Sequence, residues 1–180
     1  KSSVCGCPAG TSQNKDSCIS EFQTNPKTIP LKYTLRGEEH TFNYTVYEGM
    51  VDYLSELPIY IISNGNGNTS RADFKLKNIN EENQKFLLMP FVIEIRNRAR
   101  DKEDQARVAI SIVQNIEWGK SNKTEIFRGT EIQYSRYPYE VLYDGEGVCG
   151  EKSELLAFLL RELGFGVSFF YNQQENHEAI

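Results

Sequence analysis

Cys149 is the residue of this chain best placed for covalent chemistry. It follows the run Asp144-Gly145-Glu146-Gly147-Val148 and opens a helical pattern continuing over 151–163, where Leu155, Leu156, Leu159, Leu160 and Leu163 make a wide apolar face. A cysteine in the first turn of a helix lies among backbone N–H groups that have no intrahelical partner. It also lies at the positive end of the aligned peptide dipoles. Both effects favour thiolate over thiol, and the same N–H groups can hold the oxyanion formed when a thiolate attacks a carbonyl. Gly145, Gly147 and Gly150 are expected to leave this turn uncrowded, so that a substrate can approach the backbone closely. The bland alternative for a lone cysteine beside a leucine-rich helix is a small core residue.

A thiolate needs a partner that takes and returns a proton. The chain has two histidines, His40 and His177. His40 follows Gly37-Glu38-Glu39 at a hairpin turn and reads as exposed and incidental. His177 begins a strand one helix and one strand after Cys149. The order nucleophile helix, strand, turn, histidine strand can set an imidazole across from the helix start.

These residues need a scaffold, and much of one is readable. Leu31, Tyr33 and Leu35, then Phe42, Tyr44 and Val46, alternate on either side of Arg36-Gly37-Glu38-Glu39, which predicts a β-hairpin over 29–47. A short helix is expected over 48–57, stopped by Pro58. Ile59 to Ile62 is a short apolar run, and 64–68 is the strongest loop signal. Asn80 can cap a helix through Met89, which Pro90 ends or replaces with the next element; Phe91 to Ile95 reads as strand or helix. Asp101 can cap a helix to Trp118, with Ala106, Ala109, Ile110, Val113 and Ile116 on its core face. Residues 119–136 look like a polar surface excursion. Gly164 falls where a left-handed C-terminal cap is expected, followed by a strand over 166–171, a polar turn, and the strand opened by His177.

Tyr137-Pro138-Tyr139-Glu140-Val141-Leu142, followed by Gly147-Val148-Cys149-Gly150-Glu151-Lys152-Ser153, resembles the core motif of transglutaminase-like domains. There a Pro-x-Glu-x-Leu lead-in precedes Gly-x-Cys at the head of a helix. Leu159-Leu160-Arg161-Glu162-Leu163-Gly164-Phe165 is similar to the end of that helix, His177-x-Ala179 to the start of the histidine strand, and 103–118 to the helix before the core. The resemblance covers about residues 101–180. It implies an α+β fold with a papain-like core, the nucleophile helix packed on an antiparallel sheet, and Cys-His-Asp catalysis with Cys149 as nucleophile and His177 as base. Members of the family carry the Asp on the strand after the histidine, and this sequence ends three residues past His177. A fragment, a different orienting residue and a degenerate site are the alternatives. Tyr143 and Gln133 are polar candidates for a side-chain oxyanion donor. Asp144 and Glu151 read as a turn former and a helix N-terminal acid. The chemistry implied is thiol-dependent acyl transfer or hydrolysis at peptide or glutamine amides, with a protein or peptide substrate and no metal or organic cofactor. The rival class is a non-catalytic binding module that keeps the fold.

Composition fits a globular protein. Of 180 residues, 39% are hydrophobic and 25% charged, so the chain can bury one real core. A net charge of −5 gives no electrostatic reason to seek polyanions, and the basic stretch 96–102 runs directly into Glu103 and Asp104, so no nucleic-acid partner is expected. No apolar run reaches the ~18 residues of a membrane span. Residues 1–25 read as a cysteine-containing leader, 26–100 as a segment packed on the core, and 101–180 as the core, expected to be truncated at its C-terminus. The chain opens without Met and reads as processed or trimmed. A disulfide from Cys18 to Cys5 or Cys7 suggests a secreted or cell-surface location; the three sequons, at Asn43, Asn68 and Asn122, add little, because a chain with fourteen Asn carries about two by chance.

Overall fold

Two short strands, β1 (Thr11–Asn14) and β2 (Ser17–Ser20), precede a long antiparallel hairpin, β3 (Pro26–Leu35) and β4 (Glu38–Tyr47). The computed structural model describes residues 11–14, 17–58, 70–127 and 129–180. The hairpin is the one the alternation predicts. Arg36 and Gly37 connect the strands with φ of 53° and 87°, the left-handed pair whose twist matches that of the flanking strands. Leu35 pairs with Glu38 and Pro26 with Tyr47. This register puts Ile29, Leu31, Tyr33, Phe42 and Val46 on one buried face. His40 is half-buried rather than exposed, because its ring stacks on Tyr33 with centroids 4.9 Å apart.

The helices follow. α1 (Glu48–Ser55) buries Met50 and Leu54 and ends before Pro58, as expected. The apolar run at 59–62 and the loop at 64–68 lie outside the described residues. α2 (Arg71–Ile79), which the sequence reading does not anticipate, is started by Ser70: its hydroxyl accepts from Asp73 N, and the Asp73 carboxylate accepts from Ser70 N. Asn80 terminates this helix instead of starting the next. α3 (Glu82–Arg98) is capped by Glu81 and runs straight through Pro90. Pro90 and Phe86, four residues before it, are both exposed, so water can serve the carbonyl the proline orphans. Beyond it Phe91, Val92 and Ile95 are fully buried. At about 1.5–3 kcal/mol each, their burial outweighs the ~3 kcal/mol cost of an interior proline.

α4 (Lys102–Asn115) is capped by Asp101, whose carboxylate accepts from Asp104 N at 2.8 Å. Its buried face is Val108, Ala109, Ile112 and Val113, continued by Ile116; Ala106 and Ile110 are only half-buried, so the expected face is rotated. Residues 119–136 are more than an excursion. β5 (Thr124–Phe127) and β6 (Thr130–Gln133) pair across Gly129. α5 (Pro138–Asp144) then leads to α6 (Cys149–Glu162). α6 ends as expected, with Gly164 at φ 91°, Phe165 N donating to Leu160 O and Gly164 N to Arg161 O. The strand expected over 166–171 is shorter: β7 (Phe170–Asn172) pairs with β8 (His177–Ala179).

The molecule is α+β. Among the described residues the strands form four separate two-stranded antiparallel ladders. Of the antiparallel sheet expected under the nucleophile helix, only the short β7–β8 hairpin packs on α6, whose other described neighbours are α2, α3, α4 and α5. Leu155, Phe158, Leu159 and Leu163 join one buried cluster with Phe91, Ile95, Ile112, Leu142 and the inner face of β3–β4. No described helix is long and apolar enough to cross a membrane. The pairing expected of Cys18 with Cys5 or Cys7 lies outside the described residues.

Candidate functional site

The turn before Cys149 is held from three directions. Gly145 closes α5 at φ 68°. Residues 145–147 then pair with the segment after α4: Glu117 N donates to Gly145 O at 3.1 Å, and Gly147 N to Glu117 O at 3.0 Å. Beneath them lies Arg136. Its guanidinium reaches Asp144 at 2.7 Å, Glu146 at 2.9 Å and Glu151 at 3.4 Å, and it also donates to Gly119 O. The Glu151 carboxylate in turn accepts from Arg136 N at 2.9 Å and from Val148 N at 3.0 Å. Glu151 is therefore an N-terminal helix acid, as its position suggests, and also one wall of a buried ion network. Asp144 is a partner of Arg136 rather than a simple turn former. Arg136 is the residue the sequence reading missed here. Its only local signal is a lone cation among acids at 140, 144, 146 and 151.

The three turn glycines differ from one another. A Cβ at Gly147 would lie 3.1 Å from Val141 Cγ1 and 3.3 Å from Lys152 Cγ, so this position is tight. A Cβ at Gly150 would face charge, 3.6 Å from Lys75 Nζ and 3.7 Å from Glu178 Oε2. The open approach expected at all three fails at Gly147, while Gly145 has nothing within 4 Å and Gly150 only ordinary contacts.

Cys149 is half-buried at the first position of α6 and opens on a cleft of about 730 Å³. α2 supplies one wall through Phe74, Lys77 and Asn78. The β5–β6 hairpin supplies another through Glu125 and Ile132, and exposed Trp118 stands at the edge. His177, exposed at the start of β8, lines the same cleft. No hydrogen bond joins the sulfur to the imidazole. Gln133 lines the cleft too, but its amide nitrogen donates to Ser121 O and to Lys123 O at 3.3 Å. Tyr143 is turned away from the cleft, with the Lys27 ammonium 4.7 Å above its ring. His40 lies on the β3–β4 hairpin and takes no part.

At the cleft floor is a second buried charge cluster. Lys75 of α2 lies 3.0 Å from Glu154 Oε1 on α6 and 2.5 Å from Glu178 Oε1 on β8. Asn78 donates to the other Glu154 oxygen at 3.1 Å. Burial pushes the Glu154 carboxyl up to about 7, against the pull of the Lys75 charge. Lys77, half-buried in the α2 wall, is pulled down by desolvation, and Glu125 across the cleft opposes that shift.

Cys149, His177 and the first turn of α6 thus line one cleft. No family model, curated protein or solved structure matches the chain.

Proposed function

We propose that the protein is a thiol-dependent acyl-transfer enzyme of the transglutaminase-like type, with a papain-like pairing of Cys149 and His177 that acts on peptide or glutamine amide bonds. The observation that supports this is the shared cleft: the sulfur at the head of α6 and the imidazole at the start of β8 line one cavity. In this mechanism the imidazole takes the thiol proton and the thiolate adds to the amide carbonyl. The oxyanion is held by first-turn amides of α6. The imidazolium then protonates the leaving amine, which leaves a thioester on Cys149. Water, deprotonated by His177, attacks the thioester and releases the acid. Hydrolysis is preferred over transamidation because it needs no second substrate site. Catalytic hydrogen bonds are often long before substrate binds, so the unjoined pair is compatible with this chemistry.

A binding module that keeps the fold is the second reading, favoured by the missing Cys149–His177 hydrogen bond. Iodoacetamide labelling of the reduced protein at about pH 6 separates the two, because a free thiol is almost wholly protonated there. The enzyme reading expects Cys149 to react at least ~10-fold faster than a model thiol, and His177→Ala to abolish the difference. Labelling no faster than the model thiol would establish the binding module.

A further inference from the structure

We propose that Lys75 is a positioning residue: through Glu178 and Glu154 it clamps β8 onto α6 and so holds His177 over the Cys149 end of that helix. The inference rests on the proposed pairing of Cys149 with His177 and adds to it a residue from α2, outside the segment that carries the family resemblance.

β8 has three residues and pairs with a β7 of three. A two-stranded ladder of that size does not hold itself in place in water, so tertiary contacts must seat it. Its burial pattern is exposed, buried, exposed, with Glu178 as the buried residue at 2% exposure. Insertion of Glu178 fixes where β8 lies on α6, and with it the place of the adjoining His177, which stays exposed at the cleft. Lys75 Nζ lies 2.5 Å from Glu178 Oε1, and the same ammonium reaches Glu154, five residues beyond Cys149 on α6. Ser153 Oγ adds a long bond to Glu178 O at 3.4 Å. The Lys75 ammonium also lies 5.2 Å from the centre of the Phe169 ring, at the entry to β7. One side chain therefore ties α2, α6 and both ends of the β7–β8 hairpin together.

Burial supports a clamp. Two carboxyl groups with 5% and 1% side-chain exposure share the Lys75 ammonium, which is itself 11% exposed. Removing the ammonium takes from each buried group the partner that joins it to the other element. The element free to leave is the short strand, not the core helix. Loss of Lys75 therefore displaces β8 and carries His177 with it, while α6 stays in place.

The test uses the full chain with Lys75→Met, Lys75→Arg, Glu178→Gln, His177→Ala and the Lys75→Met/His177→Ala double variant. Two readouts are taken: the pH profile of Cys149 alkylation by iodoacetamide, and hydrogen exchange of the β7–β8 and α6 amides. Lys75→Met is expected to move the alkylation profile onto that of His177→Ala. In the His177→Ala background it should change the rate less than ~2-fold, because the two residues act through one another. Lys75→Arg should keep the wild-type profile. β8 amides should exchange ~10-fold faster or more in Lys75→Met while α6 core amides hold. Glu178→Gln, which leaves the Lys75–Glu154 pair intact, gives the same readouts should Lys75→Met fail to fold. A wild-type profile and wild-type β8 exchange in Lys75→Met or Glu178→Gln, with His177→Ala slowed, would overturn the clamp and leave the enzyme reading standing. If His177→Ala itself changes nothing, the enzyme reading falls, and β8 exchange alone decides whether Lys75 seats the strand.

Discussion

Glu154 has an acid–base property that can be measured apart from any reaction. Its carboxyl is pushed from 4.5 up to about 7, mainly because burial penalises the carboxylate, while Lys75 and Asn78 pull the other way. The folded state therefore binds this proton more tightly than the unfolded chain. The stability this contributes is fully present below about pH 4.5 and is lost as pH rises toward 7, for a total of roughly 3 kcal/mol. Above about 7 it should be flat. Glu154→Gln removes the titration but keeps the size and a hydrogen-bonding oxygen. Urea unfolding of the two proteins from pH 4.5 to 8 should thus show their stability difference closing against the wild type by ~3 kcal/mol across that window. Parallel pH curves would mean that the Lys75 charge keeps Glu154 ionised throughout.

At the scale of elements, the Cys149 turn depends on Arg136 as much as on its glycines. Arg136 is buried and joins Asp144 at the end of α5, Glu146 in the turn and Glu151 in α6. Removing the cation leaves Glu151, which is 4% exposed, without its counter-charge and held by the N–H groups of Arg136 and Val148, while Asp144 and Glu146 can turn to water. Breaking a buried pair on one side costs about 3–5 kcal/mol, so Arg136→Met is expected near ~3 kcal/mol once the two half-exposed acids are discounted. Denaturant melts give the size. Limited proteolysis gives the place, with new cleavage expected between residues 144 and 148 rather than in the core helices. This scale also shows what a sequence makes legible. The β3–β4 hairpin could be read because strict alternation flanks a two-residue turn. The end of α6 could be read because Gly164 takes a φ of 91°, a conformation glycine adopts without penalty. Pro90 misled because a local rule predicts a break that the burial of Phe91, Val92 and Ile95 overrides. α2 was missed because Phe74 and Leu76 face the cleft and solvent and show no core periodicity; the Ser70-x-x-Asp73 cap was its one visible signal. Cys149 and His177 could be named as candidates from their order along the chain, whereas the Lys75 cluster could not. Its partner Glu154 is 79 residues away, and nothing local marks either residue as buried.

At the scale of the whole molecule, the question is whether the two halves of the chain unfold together. The buried cluster runs from Ile29 on β3 through α3 and α4 to Leu163, and one buried tyrosine links the halves directly. Tyr139, 1% exposed on α5, accepts a hydrogen bond from Tyr47 N at 2.7 Å where β4 passes into α1, and Gln84 of α3 accepts from Tyr139 N at 3.1 Å. A continuous core implies one cooperative unit. Native-state hydrogen exchange should then report one opening free energy for amides of Leu31 and Tyr33 on β3 and of Leu159 on α6. The small β5–β6 and β7–β8 ladders, with exposed Ile126, Phe170 and Tyr171, should open at lower free energy. Tyr139→Phe keeps the ring and leaves Tyr47 N without its acceptor, a loss of about 1–3 kcal/mol. In a single cooperative unit that loss appears equally at β3 and at α6, although the substitution lies at the seam between them. A decrease confined to the α6 amides would show instead that the hairpin and the cysteine helix unfold independently, and that the cleft stands on the second half alone.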